Sequence, residues 1–235
     1  MTLSKAPLPL KVLFTCFLLT TGMGYLFAVF YLFLMDIEPH RKSGANLSRA
    51  VIVKYYGKRE TTLLEASLTE GMWEETDATP AQRKEVLTWL RQGAKEDGFP
   101  KVQPIFQKNC VSCHSQDGGE TPLTNFQEVS AFTKMDTGLS IKSLVRVSHI
   151  HLFGISFIFM LTSGIFVLSE INARWRAFLI ALPFIAMWTD VGSWWFTKWE
   201  PFFAYTVIVG GLLMGLSLAA QVLIPLWEMW LKKKQ

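Results

Sequence analysis

Cys110 and Cys113 stand two residues apart in the run Cys110-Val111-Ser112-Cys113-His114, and a histidine follows the second thiol at once. That order has one strong chemical use: the two sulfurs add to the two vinyl groups of one haem, and His114 rises beneath the iron as an axial ligand. The other readings of the run are a zinc half-site, a redox dithiol and a chance neighbourhood. A structural zinc site wants a second Cys or His pair, and the third cysteine, Cys16, lies in a strongly apolar segment. A thioredoxin-like dithiol expects a βαβ pattern, which the flanking residues lack. One covalent haem c is therefore the expected cofactor.

A second axial ligand has few sources. Met135, in Lys134-Met135-Asp136, follows the motif, and its thioether suits iron; the alternative reading is an ordinary loop methionine. His149 and His151 stand in Val147-Ser148-His149-Ile150-His151-Leu152, at the start of an apolar block. At about 100° per residue they point about 200° apart, so they cannot serve one iron from one helix face. His149, nearer the aqueous side, is the expected sixth ligand, with Met135 the alternative and His151 third; His40 and Met72 are remote candidates. A haem held between two histidines inside the membrane would need them on facing helices, and the apolar blocks carry only this pair.

Asp190, in Trp188-Thr189-Asp190-Val191-Gly192-Ser193-Trp194-Trp195, is an ionisable residue within an apolar block, which makes it a functional candidate by default. Beside His151 it would suit oxidation of a quinol, where protons must leave as electrons go to iron. The bland alternative is an Asp that hydrogen-bonds His151, Thr189 or a backbone group and pins two helices together.

The elements that must position these groups are apolar helices. Half of the 235 residues are hydrophobic (50%), 14% are aromatic, and the apolar ones fall in blocks. The blocks run from about Leu10 to Met35, Ile150 to Leu168, Ala177 to Phe196 and Phe202 to Trp230, each near or above the ~20 residues of a membrane-spanning helix. Lys5 and Lys11 precede the first block, Arg174 and Arg176 join the second to the third, and Lys232-Lys233-Lys234 close the chain. By the positive-inside rule all three places are cytoplasmic, so both termini lie inside and the segment from Asp36 to about Arg146 is exported. The first block is too long for a cleaved signal and is expected to remain as a signal anchor. The formal charge of +4 follows from these basic ends and implies no nucleic-acid partner.

Within the exported segment, Val51-Ile52-Val53-Lys54-Tyr55-Tyr56 reads as a short extended piece or amphipathic turn. Thr79 and Pro80 suit a helix start, Val86, Trp89 and Leu90 its apolar face, and Gly93 its stop. A second helix is expected from near Pro104 into the motif, Gly118-Gly119 opens a loop, and a third helix is expected from about Thr124 to Lys134, burying Leu123, Phe126, Val129 and Phe132. The run Pro104-Ile105-Phe106-Gln107-Lys108-Asn109-Cys110-Val111-Ser112-Cys113-His114 resembles the start of bacterial monohaem cytochrome c domains, in which a short helix leads into the attachment site. The resemblance spans roughly 60 residues from Ala81 and rests on the CxxCH motif more than on its flanks. It implies a membrane-anchored c-type cytochrome with Cys110, Cys113 and His114 holding the haem. One departure matters: such domains commonly supply a methionine from a loop well downstream, whereas this chain soon re-enters an apolar block.

The expected fold is an all-α membrane protein with four transmembrane helices and a small periplasmic cytochrome c-like domain between the first and second. Residues 1–35 form the anchor, 36–78 a connecting segment, 79–146 the haem domain and 147–235 a three-helix bundle. The expected function is periplasmic electron transfer as a subunit or partner of a larger respiratory or oxidase complex, with membrane lipid around it. The alternatives are a quinol-oxidising, cytochrome c reductase-type enzyme using His151 and Asp190, with quinone as a second cofactor and a periplasmic cytochrome as a further partner, and a haem-based sensor or assembly factor. Gly211-Leu212-Leu213-Met214-Gly215 has the small-residue spacing of a close helix contact.

Overall fold

The structure is a computed structural model, described over residues 1–38, 46–117 and 120–232. His40, Gly118, Gly119, Lys233 and Lys234 lie outside the described residues. The helices are α1 (Leu8–Leu32, continued by a π turn over Phe33–Ile37), α2 (Leu47–Tyr55), α3 (Leu63–Ser67), α4 (Pro80–Arg91), α5 (Phe99–Asn109), α6 (Phe126–Ser130), α7 (Ile141–Phe166), α8 (Ala173–Thr197) and α9 (Phe203–Trp230). Leu8–Met35, α7, α8 and α9 are long and apolar enough to cross a bilayer, so the chain is an all-helical, multi-pass membrane protein.

Leu47–Tyr55 and the start of α7 depart from the sequence expectations. The piece around Val51–Tyr56 is helical, not extended: α2 turns Ala50, Val53 and Tyr55 inward. The second spanning helix begins at Ile141, well before Ile150, because the Ser140 hydroxyl accepts from the Ser143 N–H and caps it. Its first turns bury Leu144 and Ser148 while Lys142 and Arg146 stay exposed, and those charges hide the helix from an apolar-run reading.

The chain divides into two compact units, Met1–Tyr55 with Leu139–Gln235, and Tyr56–Gly138. Against the expected 36–78 and 79–146, α2 belongs with the unit that holds the long apolar helices, and the second compact unit runs from Tyr56 to Gly138. A backbone bond from Leu139 N to Lys54 O (2.9 Å) joins the two places where the chain leaves and re-enters the membrane unit.

In the membrane unit, Leu18, Leu144, Phe159, Met187, Trp194 and Leu218 are among the buried apolar residues. Polar groups buried among them are paired, as a low-dielectric surrounding demands. Gln221 accepts from Thr162 Oγ1 (2.6 Å) and Ser163 Oγ (3.2 Å) and donates to Leu179 O (2.8 Å). The tight glycine contact between α8 and α9 is at Gly210, where a β-carbon would lie 2.8 Å from Asp190 Cβ; Gly211 has nothing within 4 Å. Gly215 instead makes room for the hydroxyl of Tyr25 on α1.

The three basic places meet at one end of this unit. Lys11 Nζ donates to Met229 O (2.6 Å) and Ser4 O (2.9 Å), and Leu3 N donates to Leu168 O (3.1 Å). Glu170, in the connection from α7 to α8, takes bonds from Ser4 Oγ and Lys232 Nζ, and these hold its carboxyl down to about 2. At the opposite end Lys198 Nζ donates to Leu139 O (2.6 Å) and Tyr55 O (3.4 Å).

The Tyr56–Gly138 unit is closed where its two ends meet. Leu63 N bonds Lys134 O and Asp136 N bonds Thr61 O, both at 2.9 Å, and the Asp136 carboxylate accepts from the N–H groups of Lys58 and Gly138. Gly57 sits here at φ +83°, where a side chain would strike the backbone of 136–138. α4 starts as expected, with a reciprocal Thr79–Gln82 capping box. α5 begins at Phe99, ahead of the expected Pro104, with Pro100 accepted in its first turn and Pro104 carried inside it. The third helix is shorter than expected, Phe126–Ser130, because Asn125 caps it and the chain turns at Phe132.

Candidate functional site

α5 delivers the Cys110–His114 run. Its apolar face buries Val102, Ile105 and Phe106, and its last turn continues into the motif through Cys110 N to Phe106 O (2.8 Å). The carbonyl of Cys110 then accepts from both Cys113 N (3.2 Å) and His114 N (2.9 Å). One tight turn therefore carries both thiols and the imidazole, as the spacing predicts. Both cysteines are free thiols. Cys110 packs against an apolar cluster that includes Trp89, Phe99, Phe106 and Val129, whereas Cys113 is exposed. Burial first, and the neighbouring Cys113 second, push the Cys110 thiol up to about 11. A redox or metal-binding cysteine is normally shifted the other way.

His114 is held by its other ring nitrogen. Nδ1 lies 2.8 Å from the carbonyl oxygen of Thr121. A carbonyl only accepts, so Nδ1 carries the proton and the lone pair is left on Nε2, the atom that would meet iron. The Leu123 N–H donates back to His114 O (2.9 Å), which closes the loop onto the motif. No residue pattern marks a backbone carbonyl for this role, so sequence reading could not have found Thr121.

The residues fit a covalent haem. Two free thiols and a histidine of the right tautomer share one turn, and an aromatic cluster adjoins it: Phe99 and Phe126 centroids are 5.5 Å apart, and Phe99 and Phe106 are 6.0 Å apart. Among the described residues, the buried side-chain polar atoms without a hydrogen-bond partner are Thr61 Oγ1, Trp73 Nε1 and Asn109 Oδ1. All belong to this unit, and Asn109 directly precedes the motif. Among the described residues no group of three or more His, Cys, Asp or Glu side chains is gathered for a metal ion.

Met135 belongs to the same unit. Its backbone bridges to Thr62 and its side chain is exposed. His149 belongs to the membrane unit, on the exposed side of α7.

Asp190 and His151 are linked through a third residue. Trp194 Nε1 donates to Asp190 Oδ1 (3.3 Å), and the ring of His151 stands edge-on to Trp194, with centroids 5.0 Å apart at 85°. Tyr55 stacks on the same indole at 5.6 Å and 13°. Trp194 is itself buried, at the meeting point of these three side chains. Thr189 bonds the backbone of α8 and not Asp190.

Residues 119–235 are similar to a family described as a transmembrane helical domain, Aq_1264_TM. The matched stretch takes in α6 to α9 and begins after His114. No curated protein matches the chain, and no solved structure does.

Proposed function

We propose that the chain is a membrane-anchored monohaem c-type cytochrome, which carries electrons at the membrane surface as a subunit or partner of a larger respiratory or oxidase complex. The observation that carries this reading is the bond from His114 Nδ1 to Thr121 O, on a turn that also bears two free thiols. It presents Nε2 as a ligand and has no purpose in a dithiol. In this reading Cys110 and Cys113 form the two thioethers, His114 is the proximal ligand, and His149 or Met135 is the sixth. Haem c, when bound, supplies reversible one-electron chemistry at its iron. The apolar cluster around Phe99 and Phe106 limits water at one edge of the site, and the Thr121 carbonyl keeps His114 electron-rich.

In this reading the basic residues Lys5, Lys11, Arg174, Arg176 and Lys232 mark cytoplasmic segments of a bacterial inner-membrane protein, and the 56–138 unit is periplasmic; the positive-inside rule supports that orientation. The test is the optical spectrum of the purified full chain, oxidised and dithionite-reduced, with pyridine haemochrome. A covalent, low-spin haem is expected; a preparation from haem-c-competent cells without covalent haem overturns the reading.

A second reading, quinol oxidation, is favoured by the Asp190–Trp194–His151 chain, because it connects a buried carboxylate to a histidine on the lipid-facing side.

A further inference from the structure

His151 is a polar side chain on the exposed side of a spanning helix. It lies about 22 Å along α7 from Phe166, inside a hydrocarbon layer of about 30 Å. Its Nδ1 is 2.8 Å from Val147 O, so that nitrogen is the donor and Nε2 is left as an acceptor. No hydrogen bond to Nε2 is formed among the described residues. An acceptor in lipid without a donor is costly, and acyl chains offer none.

The surface below it is shaped. His151, Gly154 and Ile158 fall on one exposed stripe of α7. A β-carbon at Gly154 would meet no atom within 4 Å, so the stripe carries a shelf directly beside the imidazole. Behind it, Trp194 holds the His151 ring edge-on and is itself oriented by Asp190 and by the stacked ring of Tyr55.

The geometry points to a binding site for a hydroquinone head group on this face, with a quinol hydroxyl donating to His151 Nε2 and the flat ring lying over Gly154. A hydroquinone is soluble in the bilayer core, offers the O–H that the acceptor needs and is thin enough for the shelf. Phospholipid donors belong to the head-group region outside that core. The acceptor state of Nε2 makes the site prefer the reduced form, since a quinone offers only acceptors. Asp190 and Trp194 are positioning residues here: they hold the imidazole and do not touch the ligand. The site names an electron source for the haem and rests on the cytochrome reading for its physiological sense, while the binding itself does not.

The test is equilibrium binding of decylubiquinol and decylubiquinone to the full chain in lipid nanodiscs without oxygen. Wild type is expected to bind decylubiquinol saturably and more tightly than decylubiquinone. Gly154→Leu, whose β-carbon enters open space, and His151→Phe, which keeps an aromatic edge on Trp194, are each expected to weaken it about tenfold or more. Wild type that binds neither compound, or Gly154→Leu that binds like wild type, overturns the proposal. Pyridine haemochrome on the same samples separates the two ideas: missing haem with intact binding strikes the cytochrome reading alone, and intact haem without binding strikes this one alone.

Discussion

His114 and Thr121 are joined by a 2.8 Å hydrogen bond from the imidazole Nδ1 to a backbone carbonyl, and this bond sets both the tautomer and the aim of the ring. On the proposed cytochrome reading, removing the imidazole should leave the thioether positions in place and take away only the proximal ligand. We expect His114→Ala to turn a low-spin reduced spectrum high-spin. Cys110→Ala or Cys113→Ala should each leave one vinyl group unsaturated and move the pyridine haemochrome band to longer wavelength. An unchanged band in both cysteine variants would mean that the haem is not held by this turn.

The sixth ligand separates two architectures. Met135 shares its compact unit with the motif, whereas His149 belongs to the membrane unit. A haem that becomes high-spin only in Met135→Ala identifies a self-contained His/Met carrier. The same change confined to His149→Ala identifies a His/His haem tied to α7, and its spectrum would then respond to the detergent or lipid used.

Gly210 and Gly211 should respond in opposite directions. A β-carbon at Gly210 would press on Asp190 Cβ at 2.8 Å and on Ala186 O at 3.1 Å, both on α8. Gly210→Ala is expected to lose about 1–3 kcal/mol through overpacking. Gly211→Ala meets nothing and should gain up to about 1 kcal/mol from helix propensity. Denaturant unfolding in detergent micelles measures both, and equal effects would refute the α8–α9 contact described above.

Glu170 predicts a pH dependence at the basic end. Its folded-state value is depressed to about 2 from an ordinary 4.5, chiefly by Lys232 and then by Ser4. A depressed carboxyl stabilises the fold above its unfolded value, and that contribution is lost as pH falls from about 4.5 through about 2. Lys232 is raised by the same pairing, so its share is complete below its ordinary 10.5 and fades above it. At neutral pH both shares are present. The gap in melting temperature between wild type and Glu170→Gln should therefore be small but measurable at pH 7, shrink toward pH 3, and shrink with added salt because the pair is solvent-accessible. A gap that stays constant from pH 7 to pH 3 contradicts this pairing.

The long apolar helices were legible in the chain because a run of some twenty apolar residues has few other uses. The α4 boundaries were equally legible, since Thr79, Pro80 and Gly93 act on their immediate neighbours. The helical state of Leu47–Tyr55 was not. Its β-branched Val51, Ile52 and Val53 favour an extended reading, and the side of α2 that wins is decided by burial of Ala50, Val53 and Tyr55. The early start of α7 was hidden for the related reason that Lys142 and Arg146 interrupt the apolar run on a side that stays exposed.

The sequence by itself determined that Cys110, Cys113 and His114 lie within five residues of one another, because chain connectivity keeps such neighbours close in any fold. It also determined that four helices are apolar enough to cross a membrane. Only the tertiary structure decided that Thr121 is the carbonyl holding His114, that Trp194 stands between Asp190 and His151, and that Gly210 is the close contact with α8. The ring of His151 on α7 meets Trp194 on α8, Gly210 on α9 meets Asp190 on α8, and the imidazole of His114 meets a particular carbonyl of the loop that follows it; such meetings are set by helix packing and loop closure.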